Sequence, residues 1–113
     1  MTDFASPDEF VADFLRFMEF ERHSSVRTVE NYELGLRQFR GWKKSFPGWD
    51  SLTADDFRAY LFDLMKREVA RATIRLQFAA LRSFYRFLTR RKGWKHNPLL
   101  EVQLPKQEKK LPV

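Results

Sequence analysis

Large apolar residues recur at three- and four-residue intervals in four separate runs of this sequence. That spacing builds one-sided helices, and no stretch alternates apolar and polar residues long enough to read as a strand. The last run shows it best, with Ile74, Phe78, Leu81, Tyr85 and Leu88 on one side of a helix expected from about 71 to 92. The first run carries Phe10, Phe14 and Phe17 and reaches about Arg22. Ser6 is placed to cap it, Pro7 to take the first helical position and Glu9 to complete a capping box. The second carries Val29, Tyr32, Leu36, Phe39 and Trp42 from about 26 to 46, with Ser24 or Ser25 as its cap and Pro47-Gly48 as its stop. In the third, Thr53 caps, Asp56 answers it, and Leu52 is set to staple onto Phe57. Phe57, Tyr60, Leu61 and Leu64 form its inner face up to about Arg67. With 113 residues and 12 Phe, the expectation is one all-α, four-helix domain around an aromatic core.

Charge is unevenly spread. Residues 1–21 hold six acids against Arg16 alone, a local net of −5 that leaves +11 for the rest of a chain totalling +6. Between Glu68 and Glu101 there is no acid, while Arg71, Arg75, Arg82, Arg86, Arg90, Arg91, Lys92 and Lys95 all fall there. On a helical wheel Arg71, Arg75, Arg82 and Arg86 lie within about 60° of one another, forming a ridge. A one-signed field of this kind attracts polyanions, and the planar Arg fork suits phosphate. Thr28 and Thr73, near the starts of the second and fourth helices, can add hydroxyls and helix N-termini. For Thr28, bonding within its own first turn competes with that role. Gln77 can touch a phosphate or a base edge.

Catalytic constellations are not found. His23 and His96 have no ligand spacing, so neither a metal nor a cofactor is expected. The four glycines are dispersed and make no phosphate loop. Asp55-Asp56 is explained by capping, and Tyr32, Tyr60 and Tyr85 by the core. The chain has no Cys, which fits a reducing compartment, and no apolar run long enough to span a membrane. After His96-Asn97-Pro98 the sequence turns to prolines and charges with weak periodicity and reads as an extended linker.

The segment Phe78-Ala79-Ala80-Leu81-Arg82-Ser83-Phe84-Tyr85-Arg86-Phe87-Leu88 resembles the corresponding helix of Xer/phage-integrase-type tyrosine recombinases. Ser25-x-x-Thr28-x-x-x-Tyr32-x-x-x-Leu36-x-x-Phe39 is similar to the family's second helix, and Leu52-Thr53-x-x-Asp56 with Tyr60-Leu61 to its third. Asn97-Pro98, Leu104-Pro105-Lys106 and Lys110-Leu111-Pro112 resemble its interdomain linker.

The resemblance implies a SAM-like core-binding domain over residues 1–96 and a linker over 97–113 leading to a catalytic domain absent from this chain. It implies that the second and fourth helices cross the major groove of double-stranded DNA at a recombination half-site. Carried over position by position, the contacts fall at Thr28, Asn31, Arg71, Thr73, Arg75 and Gln77, with Arg82 as a further candidate. The family often has a basic residue where Gln77 stands, and Glu30 is an unusual acid beside phosphate. The family's tyrosine nucleophile and its Arg, Lys and His helpers lie beyond the linker, so no catalytic residue is carried over. Other recombinase protomers are the implied protein partners, an isolated domain is compatible with a monomer, and the implied location is the bacterial cytoplasm, with the nucleoid. The alternative reading is a helical protein–protein interaction or oligomerisation module, in which the basic ridge meets an acidic partner.

Overall fold

The computed structural model describes residues 8–105. Four helices carry the fold: α1 (Glu9–Phe20), α2 (Val26–Trp42), α3 (Ala54–Lys66) and α4 (Arg71–Arg91). Short 3-10 turns lie at Trp49–Ser51 and Pro98–Glu101. There is no strand among the described residues. The all-α, four-helix architecture is the one the periodicity implies.

Helix starts follow local chemistry. Ser25 caps α2 by accepting from the Thr28 amide at 3.1 Å. Thr53 and Asp56 form the full capping box of α3, with Thr53 N donating to Asp56 Oδ2 at 2.8 Å and Asp56 N to Thr53 Oγ1 at 3.3 Å. That backbone bond, aided by Lys43 Nζ at 3.1 Å, holds the Asp56 carboxyl below the usual Asp range. At α1 the cap is Asp8, which accepts from the Phe10 and Val11 amides. The expected Ser6 and Pro7 lie outside the described residues. Asp caps as well as Ser, and this carboxylate also takes the Trp49 indole N–H and the Arg40 guanidinium.

α2 stops at Trp42, about a turn short of expectation. Lys43 is extended, and Ser45 and Gly48 adopt positive φ of 53° and 107°. The early stop lets the chain double back and bury Trp49, against which Phe46 packs edge-on at 5.0 Å.

The core is aromatic. Phe39 stacks on Phe57 at 4.6 Å and meets Tyr60 edge-on at 5.0 Å. Trp49 meets Phe84 edge-on at 4.9 Å. The buried Tyr85 hydroxyl donates to the Trp49 carbonyl at 2.6 Å, and burial pushes this phenol well above its ordinary pKa. Phe14 is fully buried, whereas Phe17 is half-buried and Phe10 sits at the rim against Trp94, 5.1 Å away. On α4 all five expected core residues are buried.

The segment from Asn97 to Pro105, where the linker was expected to begin, lies on the helical body. Asn97 caps the turn at Pro98–Glu101, and Leu99 and Val102 are 3 % exposed. Two buried aliphatic side chains among prolines and charges give no period, so the sequence reads as a linker although the chain is anchored. The rest of the expected linker, including Lys106 and Lys110-Leu111-Pro112, lies outside the described residues.

Candidate nucleic-acid interface

α2 and α4 make the most extensive helix contact in the fold. They meet at Gly35, where an added Cβ would lie 3.2 Å from Ala80 Cβ and 3.5 Å from Gln77 Cα. Two small residues let the backbones approach this closely. Next to that contact, Gln77 Nε2 donates to Gln38 Oε1 at 2.6 Å and Gln77 Oε1 accepts from the Tyr60 hydroxyl at 2.9 Å. Burial pushes the Tyr60 phenol up to about 12, so it remains a donor at neutral pH. Tyr60 thereby fixes the orientation of the Gln77 amide, and Gln77 that of Gln38. One N–H on Gln77 and two on Gln38 remain unused by the pair, so the crossing presents donors.

Gly35 faces Ala80 while Gln38 faces Gln77, so the two helices run in opposite senses through the contact. Thr28 and Asn31, in the first half of α2, therefore lie toward the C-terminal half of α4. Arg71 and Thr73, exposed at the start of α4, lie toward the C-terminal half of α2. Thr28 and Asn31 are each half-buried. The Thr28 hydroxyl accepts from Ser25 Oγ at 2.9 Å, the local bonding weighed against a phosphate contact, and keeps its own proton to donate.

The expected contact residues of α4 fall into two groups. At 100° per residue, Thr73 and Gln77 stand roughly 140–180° around the helix from Arg75 and Arg82. Arg75 and Arg82 are half-buried beneath the C-terminal segment. Arg82 Nη2 donates to the Val102 carbonyl at 3.0 Å and Arg75 Nη2 to the Pro105 carbonyl at 3.0 Å. Arg58 of α3 joins them, donating to the Glu101 carbonyl at 2.8 Å. Three arginines thus hold three carbonyls within five consecutive residues. Arg75 Nε is buried with no hydrogen-bond partner among the described residues.

Sequence reasoning missed Gln38, Arg58 and the backbone carbonyls that Arg58, Arg75 and Arg82 hold. Gln38 carried a usable signal, because it follows Gly35 by three positions and so shares its face of α2. Arg58 carried none. Among the described residues no three His, Cys, Asp or Glu are grouped to hold a metal ion, and no helix is long and apolar enough to cross a membrane.

Residues 11–92 match the family described as phage integrase, N-terminal SAM-like domain. The chain is similar to proteins named tyrosine recombinase XerC. It is 40% identical over 107 residues to that of Halalkalibacterium halodurans, covering 93% of this chain and 35% of the relative. It is 34% identical over 105 residues to that of Bacillus subtilis, covering 91% and 34%. It is 40% identical over 105 residues to that of Lacticaseibacillus casei, covering 90% and 35%. The chain spans about a third of the length of these curated relatives. No solved structure matches it significantly.

Proposed function

Given that this chain belongs to the phage integrase N-terminal SAM-like domain family, we propose that it grips double-stranded DNA for a tyrosine recombinase, with the α2–α4 crossing in the major groove of a recombination half-site. The observation that carries this reading is the Tyr60–Gln77–Gln38 chain of hydrogen bonds at the crossing. Its unused N–H groups suit the acceptor-rich edges of the major groove, namely purine N7, guanine O6 and thymine O4. Thr73 on one side of the crossing, and Thr28 and Asn31 on the other, flank that amide pair and contact phosphate, and Arg71, on the ridge with Arg75 and Arg82, adds a phosphate contact at the start of α4. Arg75 and Arg82 each commit one of five donors to a carbonyl, and they steer the duplex by charge while anchoring the chain that leaves α4. Cleavage and strand transfer belong to a separate catalytic domain, other recombinase protomers complete the assembly, and the setting is the bacterial cytoplasm.

Fluorescence anisotropy with duplex DNA at several salt concentrations tests the reading. Binding to mixed sequence with Kd of about 10⁻⁴–10⁻⁶ M, falling steeply as salt rises, is expected. A Gln38→Ala/Gln77→Ala variant is expected to keep the salt dependence and lose preference among half-site sequences, because base contacts carry specificity and phosphate contacts carry affinity. Absence of binding at low salt refutes the DNA assignment and favours the protein-interaction module.

A further inference from the structure

The end of α1 and the last two turns of α4 enclose a recess of about 360 Å³. Four arginines line it: Arg22 from the α1 end and Arg86, Arg90 and Arg91 from α4. Phe87, 6 % exposed, and the half-buried Phe17 form its apolar wall, and Ser83 supplies a hydroxyl. No acid lines it. Arg91 is held by Glu21 and lies over the Phe17 ring at 4.8 Å. Arg22, Arg86 and Arg90 have no ion pair among the described residues.

A basic helix face is ordinarily a solvated surface. Two features set this one apart. It is concave, so arginines from the end of α1 and from α4 border one volume while remaining solvent-exposed. Three of its four charges, those of Arg22, Arg86 and Arg90, also lack an ion pair among the described residues, and Arg86 and Arg90 are four apart on one helix and repel. The apolar wall lowers the local dielectric and strengthens both that repulsion and the attraction for an anion that relieves it. Planar guanidinium groups with several N–H donors each match a tetrahedral oxyanion.

We propose that this recess is a phosphate-binding site. Two sources share that chemistry, a backbone phosphate of duplex DNA and a free phosphate. The first rests on the DNA reading above and the second does not. Position favours the first. Arg22 precedes the α2 cap, Ser25, by three residues, so this arginine lies near the end of α2 that carries Thr28. A strand of DNA leaving the Thr28 side of the crossing meets it next.

The test uses the full chain and an Arg86→Gln/Arg90→Gln variant, both exposed positions whose replacement leaves the core intact. Thermal unfolding is followed against inorganic phosphate, with chloride at matched ionic strength as reference. Phosphate stabilises proteins generally by exclusion from their surface, so the informative signal is a saturable rise in Tm that the variant lacks. Equal responses of the two chains overturn the site. The source is then read from duplex binding, where loss of one seated phosphate lowers the log–log salt slope by about 0.9. A lowered slope identifies the DNA backbone, whereas an unchanged slope beside an intact saturable response identifies free phosphate. Should the unaltered chain bind no duplex at all, the DNA reading fails while the phosphate titration still decides the site.

Discussion

Replacing Gly35 with Ala tests the close helix crossing on which the interface depends. Two effects of opposite sign meet there. In a helix interior, Ala is favoured over Gly by about 0.5–1 kcal/mol through backbone entropy. At Gly35, however, the new methyl lies 3.2 Å from Ala80 Cβ. Ala80 cannot easily give way, because it is fully buried on a helix whose Phe78, Leu81 and Phe84 are fully buried as well. Overpacking of such a site costs about 1–3 kcal/mol. Gly41 supplies the control on the same helix, since a Cβ there meets nothing within 4 Å. Gly41→Ala therefore keeps the entropic gain alone, and the two variants differ by about 1–3 kcal/mol. At roughly 4–8 °C per kcal/mol for a domain near this size, Gly35→Ala should melt at least about 4 °C below Gly41→Ala by circular dichroism. If the two variants melt together above the parent chain, the helices are not in close contact at Gly35. The geometry assigned to the Gln38–Gln77 pair then fails with it.

Three further outcomes are expected. Arg75→Ala/Arg82→Ala removes two bonds worth about 0.5–1.5 kcal/mol each and loosens the C-terminal segment. Amide exchange at Val102 then accelerates while that at Phe84 changes little, and unchanged Val102 exchange refutes the anchoring role. Phe78→Ala, at a fully buried position, costs about 3–5 kcal/mol in urea unfolding, and a loss under about 1.5 kcal/mol contradicts the core assignment. Asp56 has a folded pKa held below its unfolded value, first by the Thr53 amide and then by Lys43. Its contribution is complete above roughly pH 4 and fades as the pH falls through the lower folded value. Asp56→Asn should therefore flatten the acid limb of the stability profile, and an identical limb in both chains refutes the capping-box contribution.

Features governed by neighbours in sequence were legible in it. The Thr53–Asp56 capping box needs only a three-residue spacing, and the inner face of α4 needs only a period, so both appear in the structure where the sequence puts them. Features governed by distant contacts were not. Trp49 is buried because α2 stops early and the loop folds back, which no local signal records. Leu99 and Val102 join the core through chain reversal after α4. The wheel placed Arg75 and Arg82 together on one ridge, and the structure keeps them together, but carbonyls 20 and 30 residues away occupy them. The wheel likewise separates Thr73 and Gln77 from that ridge. Only the paired helix shows that Gln77 finds Gln38 and Tyr60 on its own side.

The central claim is that the α2–α4 crossing faces the duplex, and a nuclear magnetic resonance titration of the isotope-labelled chain with half-site DNA tests it most directly. The account predicts that the side-chain amide signals of Gln38 and Gln77 shift early, together with the backbone amides of Thr28, Asn31, Arg71 and Thr73. The outer face of α3, around the exposed Phe62 and Met65, should stay unchanged. Shifts concentrated on that α3 face, with both glutamine side chains unmoved, would contradict it.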